Sequence, residues 1–325
     1  MSVTIAEAPV AATTVPPATG GGGGGRRYTK AAYGYLAPVV ISAIVFTIVP
    51  FFYTLYIAFT NYSLRNFAEY SLVGFDNFSQ VFTSSSEFFP VLRWTFFFMI
   101  VTTLVNVGFG MFLALLLNHS GLKERNLYRT LLIIPWALPF ILLVQIWNGI
   151  FQSQGPLNLI LGGIGFDRIS WLPTVGDEVP PRIALFIVNL WFTYPFFMTV
   201  GLAALQSIPR DLYEVADLDG AGSWRRFRDI TLPFLIAAMV PLLITQAAFQ
   251  FNNAGIILLF TDGNPAGEPG AKWGRTDTLA SWAYDLFFRE RRYSLAAAYS
   301  IVIFFVIATL TVISAIVTRS FKEEA

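Results

Sequence analysis

Residues Trp94 to Leu117 read WTFFFMIVTTLVNVGFGMFLALLL, an apolar run without one charged side chain. A helix rises ~1.5 Å per residue and the hydrocarbon of a bilayer is ~30 Å thick, so about 20 such residues suffice to cross it. Lipid offers no partner to a bare N–H or C=O, so a run of this kind must close its hydrogen bonds on itself as an α-helix. Five further charge-free runs have comparable length: about Ala32 to Thr60, Thr130 to Phe151, Ile183 to Leu205, Pro233 to Phe260 and Ala296 to Thr318. The expected fold is all-α: a polytopic membrane protein with six transmembrane helices within residues 31–325. Pro50, Pro135, Pro139, Pro195 and Pro241 lie inside these runs. Each removes a helix donor, so kinks are expected there.

The whole composition agrees. The chain has 325 residues, 55% of them hydrophobic and 13% charged, against roughly 25% charged in soluble domains. The net charge of +1 gives no bulk electrostatic case for nucleic acid. The absence of cysteine excludes disulfides, thiolate metal sites and cysteine nucleophiles. The single histidine, His119, cannot make a multi-histidine metal site, and no metal is expected. Residues 1–30 form a Gly/Pro/Ala-rich stretch with a glycine run from Gly20 to Gly25. It lacks the apolar segment of a signal peptide and is read as a disordered cytoplasmic tail.

Lysine and arginine set the orientation. Arg26, Arg27 and Lys30 precede the first run; Lys123, Arg125 and Arg129 follow the second; Arg210, Arg225, Arg226 and Arg228 follow the fourth; Arg319 and Lys322 end the chain. With six spans these all fall on one side, which places both termini in the cytoplasm. The last opposite loop breaks the pattern with Lys272, Arg275, Arg289, Arg291 and Arg292.

The connection from Ser207 to Pro233 reads SIPRDLYEVADLDGAGSWRRFRDITLP. Pro209 is placed to start a helix, and Arg210 to Leu218 can make two turns with Leu212, Val215 and Ala216 on one face. Gly220 and Gly222 permit a turn, and a second short helix is expected from Ser223 to Ile230. A solvated connector is the commoner use of such a segment. A structured helix-turn-helix, apolar on one side, also suits docking to a soluble partner. No lysine of the chain follows a glycine, so there is no P-loop to hold ATP and no ATPase of its own.

Two runs carry matching stripes. Asn189, Phe192, Thr193 and Phe196 stand at i, i+3, i+4 and i+7, as do Gln246, Phe249, Gln250 and Asn253. This spacing puts each set on one helix face. Amides pair with sugar hydroxyls, and ring faces cover the C–H patches of a pyranose. No carboxylate or lysine marks an ion relay within the runs. Buried amides also serve as glue between membrane helices, and both uses stand open. Trp136 and Gln145 of the third run are further candidates. A proton-coupled carrier would want intramembrane carboxylates. An intramembrane enzyme would want a histidine, carboxylate or serine–lysine set, and no catalytic residue is expected.

The stretch Glu214-Val215-Ala216-Asp217-Leu218-Asp219-Gly220-Ala221-Gly222, with Phe227 and Ile230-Thr231-Leu232-Pro233, resembles the EAA loop of ABC importer permeases, with Val215 where that family has its first alanine. The resemblance implies a coupling helix seated on an ATPase subunit, with Tyr213, Glu214, Ala216, Asp219, Gly220 and Ala221 at that contact. From about Gly74 onward the chain is similar to the maltose/maltodextrin permeases of the MalF type. Gly74-Phe75-Asp76-Asn77-Phe78, residues Tyr128 to Pro135, residues Phe249 to Asn253, and Thr276-Asp277 leading to Trp282-Ala283-Tyr284 carry that likeness. It implies substrate contacts at Trp136, Asn189, Phe192, Thr193, Phe196, Gln246, Phe249, Gln250 and Asn253. Trp136 and Phe196 stand where the best-known member has tyrosines, and Gln250 replaces an asparagine. The implied partners are a second, homologous permease (MalG-like), two ABC ATPase subunits that bind ATP and Mg, and an extracellular sugar-binding protein. The implied location is a bacterial cell (inner) membrane and the implied cargo a neutral oligosaccharide, maltose/maltodextrin first, with trehalose, other oligosaccharides and glycerol phosphate as alternatives.

Overall fold

The computed structural model describes residues 24–83, 87–119 and 121–323, so the part of the expected tail at residues 1–23 lies outside it. The chain divides into two compact units at residue 53. The first holds helix α1 (Gly24–Ala43), a wide π turn (Ile44–Ile48) and the start of α2 (Val49–Ala58). The helix starts before the expected span limit because Arg26, Arg27 and Lys30 interrupt hydropathy without interrupting helical hydrogen bonding. In the π turn the N–H of Val49 reaches back to the carbonyl of Ile44. Pro50 follows at once. It supplies no N–H, and its ring crowds the carbonyl four residues back, which one widened turn accommodates. Tyr35, Val39 and Phe46 are exposed, a surface suited to lipid.

The second unit continues with α3 (Asp76–Thr83), α4 (Phe88–Asn118), α5 (Arg125–Ala137), α6 (Phe140–Phe151), α7 (Pro156–Gly163), α8 (Val179–Ser207), α9 (Arg210–Leu218), α10 (Ser223–Arg226), α11 (Leu232–Phe251), α12 (Leu279–Phe288) and α13 (Tyr293–Glu323). Helices α4 and α8 pack most extensively. Gly110 permits it: a Cβ there would lie 2.4 Å from the Cβ of Phe197. A buried cluster of Trp94, Phe98, Leu185, Val188 and Ile257 fills one end of this pair. Ala114, Leu117, Met198, Leu202 and Leu235 fill the other.

Among the described residues, five helices are long and apolar enough to cross a membrane, and α5 with α6 makes a sixth crossing if the pair is counted as one. The kink expected at Pro139 is a complete break in the third run, whose halves meet at 96°. Pro139 is the cause. It disfavours a helical residue before it, and Leu138 is extended at φ −96° and ψ 149°. Pro135, by contrast, is carried inside α5.

The fifth span also differs at both ends. The segment expected as a separate helix from Ser223 to Ile230 is the base of the span itself, since α10, a π turn (Phe227–Thr231) and α11 run continuously through residues 223–251. The N–H of Leu232 reaches the carbonyl of Phe227 just before Pro233, the same device as at Pro50. At its other end the helix stops at Phe251, short of the expected Phe260, and a π turn (Ile257–Thr261) follows the break at Asn252 and Asn253. Asparagine side chains compete for backbone groups and disfavour helix interiors.

Candidate functional site

Helices α5, α8 and α11 flank an open cavity of about 590 Å³. It is lined by Trp136 from the end of α5, by Asn189, Phe192, Thr193 and Phe196 from α8, and by Gln246, Phe249 and Asn253 from the α11 side. Both stripes therefore face one space. No charged side chain lines it. The rings of Trp136 and Phe196 meet at 5.9 Å, and those of Phe140 and Phe192 at 4.9 Å. These ring contacts make two aromatic walls. Gln145 does not line the cavity. The bend at Leu138 and Pro139 carries α6, and Gln145 with it, off the α5 axis.

Gln250 lies behind the lining, fully buried. Its amide and that of Asn189 pair head to tail. Asn189 Nδ2 donates to Gln250 Oε1 and Gln250 Nε2 donates to Asn189 Oδ1, each at 3.2 Å. Asn253 Nδ2 donates to the same Gln250 Oε1 at 3.0 Å. Asn106 of α4, absent from the sequence-based candidates, donates its Nδ2 to Asn189 Oδ1 at 2.9 Å. The one signal for it was an amide in the middle of an otherwise apolar run. Asn106, Asn189 and Gln250, buried on α4, α8 and α11, thus form one network with the half-buried Asn253 just past the end of α11. Nε2 of Gln246 is buried at the cavity with no protein partner, a donor available to a ligand oxygen.

At one end of the bundle, α9 forms over the expected residues, with Gly220 at φ +72° closing the turn after it. Gly222 has an ordinary negative φ. The N–H of Ala221 donates to the carbonyl of Ala216 at 2.9 Å, and Arg226 pairs with Asp217. These contacts staple the turn into one rigid piece. Tyr213 turns inward: its hydroxyl meets Thr231 Oγ1 at 2.8 Å, and its ring packs with Ile230 on the core between α4, α8 and α11. Glu214, Val215, Leu218 and Asp219 are exposed.

The opposite end is closed by the loop of residues 262–278. Trp94 Nε1 donates to the carbonyl of Thr276 at 3.0 Å, and the Arg182 guanidinium stacks 4.2 Å above the Trp94 ring while donating to the carbonyl of Arg275. Glu178 accepts from both Arg182 and Arg275 at 2.5 Å. Lys272 pairs with Glu290, and Arg289 with Asp262 and Asp285. Three of the cations that break the charge bias, Lys272, Arg275 and Arg289, therefore serve local ion pairs, as does Arg182 in α8. Asp277 is buried beneath the loop, accepting from the N–H of Gly274 at 2.7 Å and from Ser281 Oγ at 2.8 Å. Burial pushes its carboxyl up to about 7, against the opposing pull of those donors.

Residues 106–323 match the family model described as binding-protein-dependent transport system inner membrane component. The galactooligosaccharides transport system permease protein GanP of Bacillus subtilis is 39% identical over 88% of this chain and 69% of that protein. The maltose/maltodextrin transport system permease protein MalF of Klebsiella aerogenes is 36% identical over 76% of this chain but only 49% of its own length. The maltodextrin transport system permease protein MalC of Streptococcus pneumoniae is 34% identical over 84% of this chain and 66% of its own. A chain in the crystal structure of a bacterial alginate ABC transporter has the same fold, with a TM-score of 0.76 over 91% of this chain and 96% of that one, at 24% identity. The multi-pass architecture and these matches together make the chain a member of the binding-protein-dependent transport system inner membrane component family.

Proposed function

We propose that this chain is the transmembrane permease subunit of an ATP-driven sugar importer, and that the cavity between α5, α8 and α11 holds a neutral oligosaccharide of the maltodextrin class within the bilayer. One observation carries the proposal: amide donors and acceptors share an uncharged cavity with two aromatic walls. A neutral sugar needs hydrogen-bonding groups at its hydroxyls and ring faces against its C–H patches. A phosphorylated or acidic cargo would call for an arginine, and none lines the space. Interhelical glue alone would not require a lined cavity or leave Gln246 Nε2 without a partner.

In this reading α9 is the coupling helix and its end of the bundle is cytoplasmic, as are both termini. Glu214 and the Asp219-Gly220-Ala221 turn meet the ATPase, Ala216 supports the turn, and Tyr213 and Thr231 anchor the helix to the base of the fifth span. ATP and Mg bind the two ATPase subunits. A second homologous permease supplies the other half of the path, and an extracellular binding protein delivers the sugar. Transport is by alternating access, driven by the differential affinity of the ATPase dimer for the two permease states.

A galactooligosaccharide cargo is the second reading, favoured by the 39% identity with a permease named for that substrate. The test is competitive uptake of labelled maltotriose and β-1,4-galactotriose by proteoliposomes of the full transporter. Uptake of maltotriose with a raised KM in Asn253→Ala supports the cavity reading. Identical KM in wild type and variant, for both sugars, removes the cavity from the path.

A further inference from the structure

We propose that the cleft between the start of α4 and the loop of residues 262–278 binds the headgroup of a zwitterionic phospholipid that carries a phosphate and a primary ammonium. Arg93 takes the phosphate and Glu268 the ammonium.

The cleft lies at the end of the bundle opposite α9 and has a volume of about 550 Å³. Arg93, Glu178, Arg182, Glu268, Arg275 and Asp277 are the charged side chains that line it. Most of them already have protein partners. Glu178 joins Arg182 and Arg275, and Asp277 accepts from Gly274 and Ser281. Arg93 and Glu268 remain. Both are exposed, and among the described residues neither side chain makes a hydrogen bond or an ion pair. An unpaired cation and an unpaired anion thus face one space, which suits a ligand bearing both signs.

The place of Arg93 on α4 identifies that ligand as a lipid. Arg93, Phe97, Ile100 and Leu104 stand at i, i+4, i+7 and i+11, on one face of the helix. Phe97, Ile100 and Leu104 are exposed. From Arg93 to Leu104 the helix rises about 16 Å, close to half of the ~30 Å of hydrocarbon. The stripe is therefore one leaflet deep, with Arg93 at phosphate level; the run that follows, Trp94 to Leu117, holds no charge. Phe97 belongs both to the stripe and to the lining of the cleft, so the surface for acyl chains leads into the headgroup site.

An arginine at a helix end snorkels to phosphate level whatever the lipid. Glu268 is what makes this site selective. Its neighbour Gly267 is held on both sides: the N–H donates to the carbonyl of Trp273 at 2.9 Å, and the carbonyl accepts from Arg275 Nε at 3.0 Å. A Cβ on Gly267 would lie 2.4 Å from the Trp273 ring, so the backbone there sits against that ring. Glu268 is thereby carried on an anchored part of the loop. A guanidinium grips phosphate through paired N–H groups. A carboxylate accepts from an ammonium and repels a second anion. The pair favours phosphoethanolamine over phosphoglycerol, which has no cation, and over phosphocholine, whose quaternary nitrogen has no N–H to donate. The bound lipid joins α4 to the loop that closes this end.

The experiment presents the complete transporter, purified in detergent, with an equimolar mixture of dioleoyl phosphatidylethanolamine, phosphatidylcholine and phosphatidylglycerol. Native mass spectrometry counts the lipids retained. Wild type should retain phosphatidylethanolamine in preference to the other two. Glu268→Gln should lower its preference over phosphatidylglycerol by about two- to fivefold, the range that one partly exposed ion pair supplies. Arg93→Gln should lower retention of all three lipids by a similar factor. Arg93→Lys keeps the charge and should restore most of that loss, which separates binding from a folding defect. Lipid held loosely around the rest of the bundle is common to all variants and cancels in the comparison. Equal retention of the three lipids by wild type overturns the assignment, as does unchanged retention in Glu268→Gln and Arg93→Gln. Displacement of the lipid by soluble phosphoethanolamine at equal concentration also overturns it, since the site would then take a free phosphate ester. If the variants keep their lipid but bind the extracellular binding protein more weakly, the cleft serves that protein and the lipid assignment falls.

Discussion

Gln250 is the member of the amide network with the most to lose. Its side chain is fully buried and its Oε1 accepts from two amides at once. Gln250→Leu would strand the Nδ2 groups of Asn189 and Asn253, so detergent-solubilised protein should lose ~1–3 kcal/mol of stability by thermal or chemical unfolding; an unchanged midpoint would deny the network that weight. Asp277 gives a second residue-scale test. Burial raises its carboxyl from the ordinary range to about 7, so between about pH 4 and pH 7 the folded chain binds more protons than the unfolded one. Stability of the 262–278 loop and α12 should fall as pH rises through that window, by at most ~1.4 kcal/mol per unit, and level off above it. Asp277→Asn should flatten the dependence, read as amide exchange in α12 at pH 5 and pH 8. The stripes on α8 and α11 were legible in sequence because helical spacing alone puts their members on one face. The retreat of Gln250 behind that face was not, since spacing gives direction but not depth. Asn106 was illegible for a different reason: its partner, Asn189 of α8, lies far along the chain.

At the scale of elements, the chain handles its prolines in three ways, and Pro135, Pro195 and Pro241 are simply carried inside α-helices. Pro50 and Pro233 each follow a widened turn that lets the helix continue, whereas Pro139 breaks one. A hydropathy window registers none of this, because all three prolines sit in charge-free sequence. The existence of the spans was therefore readable, and Pro139 itself marked a kink, while the depth of the break between α5 and α6, which places Trp136 at the cavity and Gln145 away from it, was not. Pro139→Ala restores a backbone donor and should open the 96° bend. The chain has no cysteine, so spin labels on Leu131→Cys and Ile146→Cys report the change directly. Their separation should lengthen toward the ~22 Å of a straight helix; an unaltered distance would mean that packing, not Pro139, holds the bend. Gly110 is the counterpart on α4. Gly110→Ala places a methyl 2.4 Å from the Cβ of Phe197, and the forced separation of α4 from α8 should cost ~1–3 kcal/mol, read as a lowered unfolding midpoint.

For the whole molecule, the proposed function requires the cavity and α9 to work as one device. Helices α8 and α11 line the cavity at one level and pack against α9 and Tyr213 at another, so a push on α9 has a continuous, close-packed route to the amides. Glu214→Lys reverses an exposed charge on α9. It should abolish sugar accumulation while the protein stays in the membrane at normal level, as checked by uptake and by quantitative membrane blotting. The most direct test of the central claim is maltotriose accumulation in proteoliposomes of defined composition. Vesicles holding this chain with its partner permease, the ATPase and the binding protein should concentrate the sugar only when ATP is supplied, and those holding this chain alone should not concentrate it at all. Uphill accumulation by the chain alone, without nucleotide, would contradict the account.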